Sequence, residues 1–260
     1  MNEQEEEQGR LADWELRPAR DLDLPLGERL RSLSRERGLL DTMAGFVWWG
    51  MVRGYMRLYH RLTIDGHEHL PGKAPFVMVA NHSSHLDTLA LGSILPRHLR
   101  HCVYPLAAGD TFFESPATAT FAALILNALP MWRRKAGRHA MEQLRERLSA
   151  EPPSGYILFP EGTRSRSGEM ASFKPGLGML VAGTRVPVIP CYLTGTFQAL
   201  PPERRLPRPR RLRLRVGPSL SFAGTAHDRE GWQRIATETR TAVRALMPPG
   251  NPQQPREPPA

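Results

Sequence analysis

The stretch that decides the fold is residues 76–88, which read FVMVANHSSHLDT. Its first five residues are all apolar, which is typical of a strand buried on both faces, as in a parallel sheet. The polar residues that follow lead into a helical pattern that continues over residues 88–95. The stretch therefore predicts a strand, a short polar turn and a helix, with His82 and Asp87 in the turn.

His82 and Asp87 are candidates for a catalytic pair. Asp87 comes five residues after His82, so in a turn that enters a helix its carboxylate can fold back onto the imidazole and fix which nitrogen carries the proton. The other nitrogen is then free to accept a proton from an alcohol. The interval is not specific by itself, because His60 and Asp65 have the same spacing in a segment that we interpret as ordinary structure.

The whole chain predicts one α/β domain. Its 260 residues, 40% of them hydrophobic, are enough for one substantial core. Helical patterns alternate with short apolar strands, which predicts a largely parallel central sheet flanked by helices. We assign residues 62–247 to this domain, residues 1–38 to a charged, loosely ordered leader, and residues 248–260 to a Pro-rich tail that is too polar to fold.

Residues 39–61 predict an amphipathic helix with an aromatic face. The segment contains two Trp, two Tyr and three Arg residues, a composition typical of a helix that lies at a membrane interface. A core helix with an aromatic face fits the periodicity equally well. The apolar run within it, residues 43–52, is shorter than the ~20 residues that a spanning helix needs, so we expect no membrane crossing.

Three further segments have simple patterns. Residues 98–106 predict a strand. Residues 115–132 carry no charge and predict a buried helix that Pro130 ends, followed by an extended piece. Residues 211–216 alternate strictly between Arg and apolar residues, which predicts an edge strand with one Arg-rich face toward solvent.

The charge predicts an anionic partner. A formal charge of +9 and a pI near 10.3 suit nucleic acid, an acidic carrier protein, a phosphorylated substrate or an anionic membrane surface. Seven arginines fall between residues 204 and 215. The interleaved aromatic side chains that would stack on bases are missing, which argues against nucleic acid. A non-enzymatic protein that binds anionic lipid or nucleic acid is an alternative on charge alone.

The two cysteines and the N-terminal residues predict where in the cell the protein is located. Cys102 and Cys191 lie in apolar contexts and form neither a disulfide framework nor a zinc spacing, which predicts core thiols in a reducing environment. The first seven residues, MNEQEEE, are acidic where a secretory signal is basic and then apolar. We therefore expect a cytoplasmic protein.

A second motif, FPEGTRS, occupies residues 159–165 after another apolar strand pattern. Gly162 lets the backbone approach a ligand, and Arg164 offers a planar guanidinium suited to a phosphate or a carboxylate. Lys174, in SFKPG, is a candidate for a second cation at the same site. Alone, the motif fits a strand-to-loop turn with a surface Glu–Arg pair equally well.

Three motifs in order resemble those of the glycerolipid acyltransferase family, which includes the 1-acylglycerol-3-phosphate acyltransferases. They are Asn81-His82 with Asp87, FPEGTR at residues 159–164, and VPVIP at residues 186–190. The resemblance spans about residues 62–221. It implies that His82 is the general base on a glycerol hydroxyl and that Asp87 orients it. The loop that binds the acceptor's phosphate is then Glu161, Gly162, Thr163 and Arg164.

The resemblance also implies substrates and a location. The donor is acyl-CoA or an acyl carrier protein, and the acceptor is a lysophospholipid, most directly 1-acylglycerol-3-phosphate, which gives phosphatidic acid in phospholipid biosynthesis. No cofactor beyond the donor is expected, and the protein would lie peripherally on the inner face of the cell membrane, on an anionic surface. Oxyanion donors are expected among the backbone N–H groups that begin the helix after His82. Residues 115–132 are a candidate wall for an acyl-chain tunnel.

Two departures from the family pattern concern acceptor recognition. The family's intermediate motif ends in an Arg that we match to Arg134, but the Gly and the acidic or polar residue that usually precede it are missing from NALPMWRR at residues 127–134. A Lys that many phosphatidic-acid-forming members carry is replaced by AAGD at residues 107–110. Another lipid alcohol, a glycolipid or a different lysolipid, is therefore an alternative acceptor.

Two other enzyme classes would use some of the same residues. A metal-dependent hydrolase would draw its ligands from His82, His85, Asp87, His67 and His69. No complete metal-ligand spacing is present, so we expect no metal site, and His85 is interpreted as a surface residue or a support for the pair. A serine hydrolase would need a Gly-x-Ser-x-Gly elbow, which Ser83 and Ser84 lack.

Overall fold

The structure is a computed structural model. It describes residues 21, 23–33, 35, 39–108, 115–131 and 138–249. Most of the predicted leader, the predicted substrate-binding residue Arg134 and the tail from residue 250 onward lie outside the described residues.

Within the described residues, seven strands form one sheet. They are β1 (Thr63–Asp65), β2 (Phe76–Ala80), β3 (Val103–Ala108), β4 (Leu129–Met131), β5 (Gly155–Leu158), β6 (Val188–Thr194) and β7 (Arg213–Val216). Their order across the sheet is β1-β7-β6-β2-β5-β3-β4. All neighbouring strands are parallel except β6 and β7, which are antiparallel. The predicted α/β class with a largely parallel sheet is confirmed.

Helices flank this sheet. The described α-helices are α1 (Leu26–Arg29), α2 (Leu39–Leu58), α3 (Leu86–Ile94), α4 (Pro116–Thr120), α5 (Arg138–Ser149), α6 (Gly176–Val181), α7 (Thr196–Ala199) and α8 (Arg229–Ala245). Short 3₁₀ turns lie at His67–His69 and Arg97–Leu99, and a π-helical turn, Phe121–Ile125, directly follows α4.

Strand β2 shows that the sheet is buried on both faces. Phe76, Met78 and Ala80 pack into one core with residues of α2 and α3. Val77 and Val79 pack into a second core with residues of α5, α6 and α8. Successive side chains of a strand point to opposite faces, so a strand covered by helices on both sides must be apolar at every position.

Helix α2 has a buried face and an exposed apolar face. Trp49, Val52 and Met56 are buried in the core, whereas Val47 and Met51 are more than half exposed. The core interpretation therefore holds for one face, and the other face keeps the apolar surface expected of a helix at an interface. No helix among the described residues is both long and apolar enough to cross a bilayer.

The prediction that residues 211–216 form an edge strand is wrong. Strand β7 lies between β1 and β6. The alternation itself is correct, since Leu214 is buried and Arg213 is exposed. Asp65 of β1 pairs with Arg213 at 2.6 Å and with Arg215 at 3.3 Å, so an acidic side chain on the neighbouring strand offsets the arginines and lets the strand lie inside the sheet.

Two element boundaries also differ from the predictions. Residues 97–99 form a 3₁₀ turn, and the strand predicted from residue 98 begins at Val103. The helix predicted over residues 115–132 ends at Ile125, since Asn127 has a left-handed backbone with φ of 55° that stops a helix. Pro130 lies in β4 at the edge of the sheet, where a missing N–H is tolerated.

Close packing of α6 on α8 gives a stability prediction. A Cβ at Gly178 in α6 would overlap the backbone of Trp232 in α8. We expect Gly178→Ala to lower the free energy of unfolding by about 1–3 kcal/mol, since the helices would have to move apart. Urea unfolding measures the change.

Gly50→Ala is the matched control for this variant. Gly50 lies in α2, where an added Cβ meets nothing within 4 Å. Alanine is the better helix former, so the control should raise the free energy of unfolding by up to about 1 kcal/mol. Equal unfolding curves for the two variants would contradict the close approach of α6 and α8.

Candidate active site

Asn81 fixes the end of strand β2, from which the site begins. Its side-chain amide donates to the carbonyl of Leu193 at 3.0 Å, and its side-chain oxygen accepts from the N–H of the same residue at 2.8 Å. Leu193 lies near the end of β6, which pairs with β2. His82 therefore begins a turn whose position is set by two strands, at the carboxyl edge of the parallel sheet where α/β proteins place their ligands.

The turn brings His82 and Asp87 together as the spacing predicts. Nδ1 of His82 lies 3.0 Å from Oδ2 of Asp87. The same oxygen accepts from the backbone N–H groups of Ser83 at 2.7 Å and Ser84 at 2.8 Å. Asp87 is fully buried in the first turn of α3. With Nδ1 donating to this carboxylate, Nε2 is the nitrogen left to accept a proton.

Phe159 restrains the plane of the His82 imidazole. Its ring stacks on that of His82, with centroids 4.1 Å apart and planes inclined by 17°. Stacking on one side and the bond to Asp87 leave the imidazole little freedom to rotate. Phe159 belongs to the second motif, but its sequence position does not indicate that it touches His82.

Glu161 links the two motifs through the backbone. It is buried, and its two oxygens accept the N–H groups of His82 at 2.7 Å and Ala171 at 2.9 Å. Burial raises the pKa of this carboxyl group, while the bonds from Ala171 and His82 act to lower it. Since both oxygens are engaged inside the protein, Glu161 holds the catalytic turn in place. Its role as a direct ligand of the acceptor stays a prediction.

The remaining residues of the second motif form a cationic wall beside His82. Gly162 has a φ of 73°, and a Cβ there would lie 2.8 Å from Nζ of Lys174. The glycine therefore lets the ammonium group lie against the loop. Thr163 and Arg164 line the same cavity as His82. Lys174 is held beside the loop by its backbone N–H, which donates to the carbonyl of Pro160 at 2.9 Å.

These side chains open on a cavity of about 440 Å³, a size typical of small-molecule sites. Its polar lining residues are His82, His85, Thr88, Thr163 and Arg164. The rest of the lining is mainly apolar and includes Leu89, Leu106, Phe121, Ala122, Leu126, Ala128, Met131 and Leu158. The cavity therefore joins a cationic end that carries the base to an apolar end.

His85 has a more central position than the sequence indicated. It begins α3 and lines the cavity, so its imidazole is accessible although protein atoms crowd around it. That crowding, followed by the charges of Arg164 and His82, lowers the pKa of His85 to about 4. The imidazole is therefore neutral at physiological pH.

The structure separates the other candidates from this site. His60 bonds to Tyr55 and to the carbonyl of Arg210, while Asp65 pairs with arginines of β7. Their spacing therefore reflects ordinary structure, as predicted. Among the residues that the structure describes, no three His, Cys, Asp or Glu side chains are grouped so that they could hold a metal ion.

The serine hydroxyls of the first motif support the turn. Oγ of Ser83 lies 3.2 Å from Oγ1 of Thr196, and Oγ of Ser84 donates to the carbonyl of Leu200 at 2.9 Å. Neither hydroxyl hydrogen-bonds to a histidine, so neither has the base that a serine nucleophile needs.

The expected oxyanion donors are also engaged. The N–H groups of Ser83 and Ser84 bind Asp87, that of Leu86 binds Oγ of Ser84, and that of Asp87 binds the carbonyl of Ser84. These four N–H groups therefore have partners within the protein, and those of Ser83 and Ser84 hold Asp87.

Relatives with curated names resemble this chain over most of the described region. The mouse 1-acyl-sn-glycerol-3-phosphate acyltransferase alpha is 31% identical over 172 residues, which cover 65% of this chain and 58% of the mouse protein. A chloroplastic 1-acyl-sn-glycerol-3-phosphate acyltransferase from Brassica napus is 30% identical over 155 residues, which cover 59% of this chain and 42% of the plant protein. The chain thus spans about half the length of these relatives.

A solved structure has the same fold. The crystal structure of PlsC, a 1-acyl-sn-glycerophosphate acyltransferase from Thermotoga maritima, matches 80% of this chain and 94% of its own chain, with a TM-score of 0.54 and 24% identity. The predicted fold, a largely parallel sheet flanked by helices, is thereby confirmed.

The sequence model described as Acyltransferase matches residues 61–194, just over half of the chain. The matched segment contains both motifs of the site, from His82 to Arg164. The resemblance inferred from those motifs is confirmed, and the chain belongs to the acyltransferase family.

Proposed function

We propose that this protein transfers a fatty acyl group from acyl-CoA or an acyl carrier protein to the free hydroxyl of a lysophospholipid. The acceptor we propose is 1-acylglycerol-3-phosphate, so that the product is phosphatidic acid. The observation that carries the proposal is one cavity that joins the His82–Asp87 pair, the guanidinium of Arg164 and an apolar wall. The names of the relatives, 1-acyl-sn-glycerol-3-phosphate acyltransferases, support the same acceptor.

The pair supplies base catalysis. Nε2 of His82 accepts the proton of the acceptor hydroxyl as its oxygen attacks the thioester carbonyl, and Asp87 stabilises the imidazolium that forms. The tetrahedral intermediate then collapses: the C–S bond breaks, the new C–O ester bond remains, and His82 returns the proton to the departing thiolate. The reaction as written needs no metal and no cofactor beyond the donor.

The cation at one end of the cavity suits a phosphate. The guanidinium of Arg164 can bind two phosphate oxygens at once, which a lysine cannot do. Lys174 is exposed and is not among the lining residues, but it lies against Gly162 and adds a positive charge to the same loop. We propose that this loop binds the phosphate of the acceptor and so places the hydroxyl within reach of His82. Arg134 remains a further candidate for this role.

The apolar end of the cavity suits a hydrocarbon chain. Its wall is formed in part by the π-helical turn Phe121–Ile125 and by residues that follow it. Burial of hydrocarbon against such a wall is favourable by about 25 cal/mol for each Å² of apolar surface that is removed from water. We propose that an acyl chain lies against this wall, in agreement with the sequence-based expectation for residues 115–132.

A substrate of this kind resides in a membrane, and α2 offers an apolar surface for it. We propose that the protein binds the inner face of the cell membrane peripherally, with the exposed side of α2 in contact with lipid. Deleting α2 is not a suitable test, because the deletion would also remove buried Trp49, Val52 and Met56 from the core. Substitutions on the exposed face avoid this problem.

The departures from the family pattern leave a second acceptor open. Residues 107–110 carry no Lys, and the segment before Arg134 lacks the usual Gly. The resemblance to the family associates both segments with acceptor recognition, so another lysolipid or a glycolipid is the second candidate. Mass spectrometry of the products from a panel of acceptors and donors distinguishes the two.

Replacement of the proposed base is the first test. We expect His82→Ala to lower kcat by about 10²- to 10⁴-fold, the usual contribution of a general base, with acceptor binding largely retained. His101→Ala is the matched control, since His101 is an exposed histidine outside the cavity, and it should keep the wild-type rate. An unchanged rate in His82→Ala would refute the assignment.

Replacement of the proposed phosphate ligand is the second test. We expect Arg164→Gln to raise the KM for 1-acylglycerol-3-phosphate by about 10- to 100-fold, since a charge-assisted bidentate contact is lost. The KM for a neutral monoacylglycerol should change little. Arg166→Gln, at an exposed position two residues further on, is the control. Equal effects on the phosphorylated and the neutral acceptor would argue against phosphate binding by Arg164.

The contact of α2 with lipid is tested by Met51→Glu. Met51 is 59% exposed, so a charge there should leave the free energy of unfolding within about 0.5 kcal/mol of wild type. We expect weaker flotation with phospholipid vesicles of any headgroup charge, while Met51→Leu, which keeps the side chain apolar, should bind as wild type does. Wild-type flotation of the Glu variant would contradict the contact.

A further inference from the structure

The loop between α7 and β7, residues 201–211, reads PPERRLPRPRR and is called the basic loop below. It carries five arginines against one acidic residue, Glu203, and all five are exposed. In its middle, Leu206 is 79% exposed. The acyl-transfer chemistry proposed above uses none of these side chains.

The basic loop is fixed to the catalytic end of the sheet. Just before it, the carbonyl of Leu200 accepts from Oγ of Ser84, in the turn that carries His82. Within it, the N–H of Arg208 donates back to the carbonyl of Ala199 at 2.8 Å. These bonds give the loop a defined position next to the catalytic turn.

The basic loop also contacts the end of α2. The hydroxyl of Tyr59 donates to the carbonyl of Pro207 at 3.1 Å, and Nδ1 of His60 lies 3.3 Å from the carbonyl oxygen of Arg210. Next to Tyr59, Leu58 is 79% exposed. The arginines of the loop and the exposed apolar face of α2 therefore belong to one surface.

Charge and apolarity together favour a lipid partner over a nucleic acid. Clusters of four to eight basic residues beside a membrane-contacting helix are typical of anionic-lipid binding. A nucleic acid would engage the arginines but would leave Leu206 and Leu58 in water. The loop also has no aromatic side chain for base stacking. An anionic membrane surface binds the arginines and removes both leucines from water.

We propose that the basic loop is a docking site for anionic phospholipids, with arginines on the headgroup phosphates and Leu206 inserted among the acyl chains. The proposal rests on the proposed function only in that a lipid substrate brings the protein to a membrane. Phe121, which lines the cavity, packs edge-to-face on Trp48 of α2 at 6.2 Å. The docking surface and the cavity wall therefore both contact α2, which keeps the cavity close to the bilayer.

Two triple variants test the docking site. The loop triple replaces Arg204, Arg205 and Arg208 by Gln. The control triple replaces Arg185, Arg229 and Arg244 by Gln, which removes the same charge from exposed positions outside the loop. Arg185 precedes β6, whereas the basic loop follows its other end, and Arg229 and Arg244 lie in α8.

Cosedimentation with vesicles of equal parts phosphatidylglycerol and phosphatidylcholine gives the readout, at a salt concentration of about 0.1 M. We expect the loop triple to bind about 100-fold more weakly than wild type, since each of the three arginines near an anionic surface contributes about fivefold. The control triple should bind within about threefold of wild type. Leu206→Ser should bind about tenfold more weakly than wild type.

Three outcomes would overturn the docking site. One is a loop triple that binds these vesicles no more weakly than the control triple. Another is a wild-type protein that binds vesicles of pure phosphatidylcholine as tightly as the anionic ones. The third is a loop triple that loses affinity for duplex DNA while its affinity for anionic vesicles is unchanged, which would assign the loop to nucleic acid.

An acceptor that is soluble as a monomer allows acyl transfer to be measured without membrane docking. With a short-chain lysophospholipid below its critical micelle concentration, the loop triple should keep the wild-type rate of acyl transfer, and a reduced rate there would contradict a docking role. The wild-type protein could cosediment with anionic vesicles by means of the basic loop and yet acylate no lysophospholipid. That result would refute the proposed function and leave the docking site intact.

Discussion

The site depends on one partly buried hydrogen bond, from the backbone N–H of His82 to the carboxylate of Glu161 at 2.7 Å. It joins the segments that follow β2 and β5, and the two bonded residues lie 79 positions apart in the chain. A charge-assisted bond of this kind is about twice as strong as a neutral one. Burial opposes the ionised form of Glu161, and the second donor, the N–H of Ala171, offsets part of that cost. Without the carboxylate, two N–H groups would be left without this partner inside the protein.

The two His–Asp pairs of the chain show what a spacing can predict. In each pair the aspartate comes five residues after the histidine. Of the two pairs, His82 and Asp87 are the one whose side chains hydrogen-bond to each other. The chain after His82 turns directly into α3, so residue 87 returns beneath residue 82. Asp65 instead ends a strand, in which each residue advances the chain by about 3.3 Å, and it pairs with arginines of the adjacent strand. The spacing therefore predicts a contact between the two side chains only when the secondary structure that follows the histidine is considered as well.

Local patterns predicted the sheet and the motif positions, whereas contacts distant in sequence were not predictable. The apolar run of β2 predicted a strand buried on both faces, and the Gly-containing loop predicted a ligand site. The stacking of Phe159 on His82 and the clamp between Asn81 and Leu193 join residues that only the folded sheet brings together. The position of β7 was mispredicted for the same reason, since Asp65, which offsets its arginines, lies about 150 residues earlier.

Helix α2 connects the outer surface with the catalytic helix. Gly92 of α3 leaves room for the ring of Trp49, and a Cβ at that position would overlap the indole. The helix that we propose to contact lipid is therefore packed against the helix that carries Asp87, with only the indole of Trp49 between their backbones at Gly92. Well-packed interiors have low compressibility and transmit strain, so we expect a displacement of α2 to be transmitted to α3. A membrane that positions α2 would thereby also position the His82–Asp87 pair.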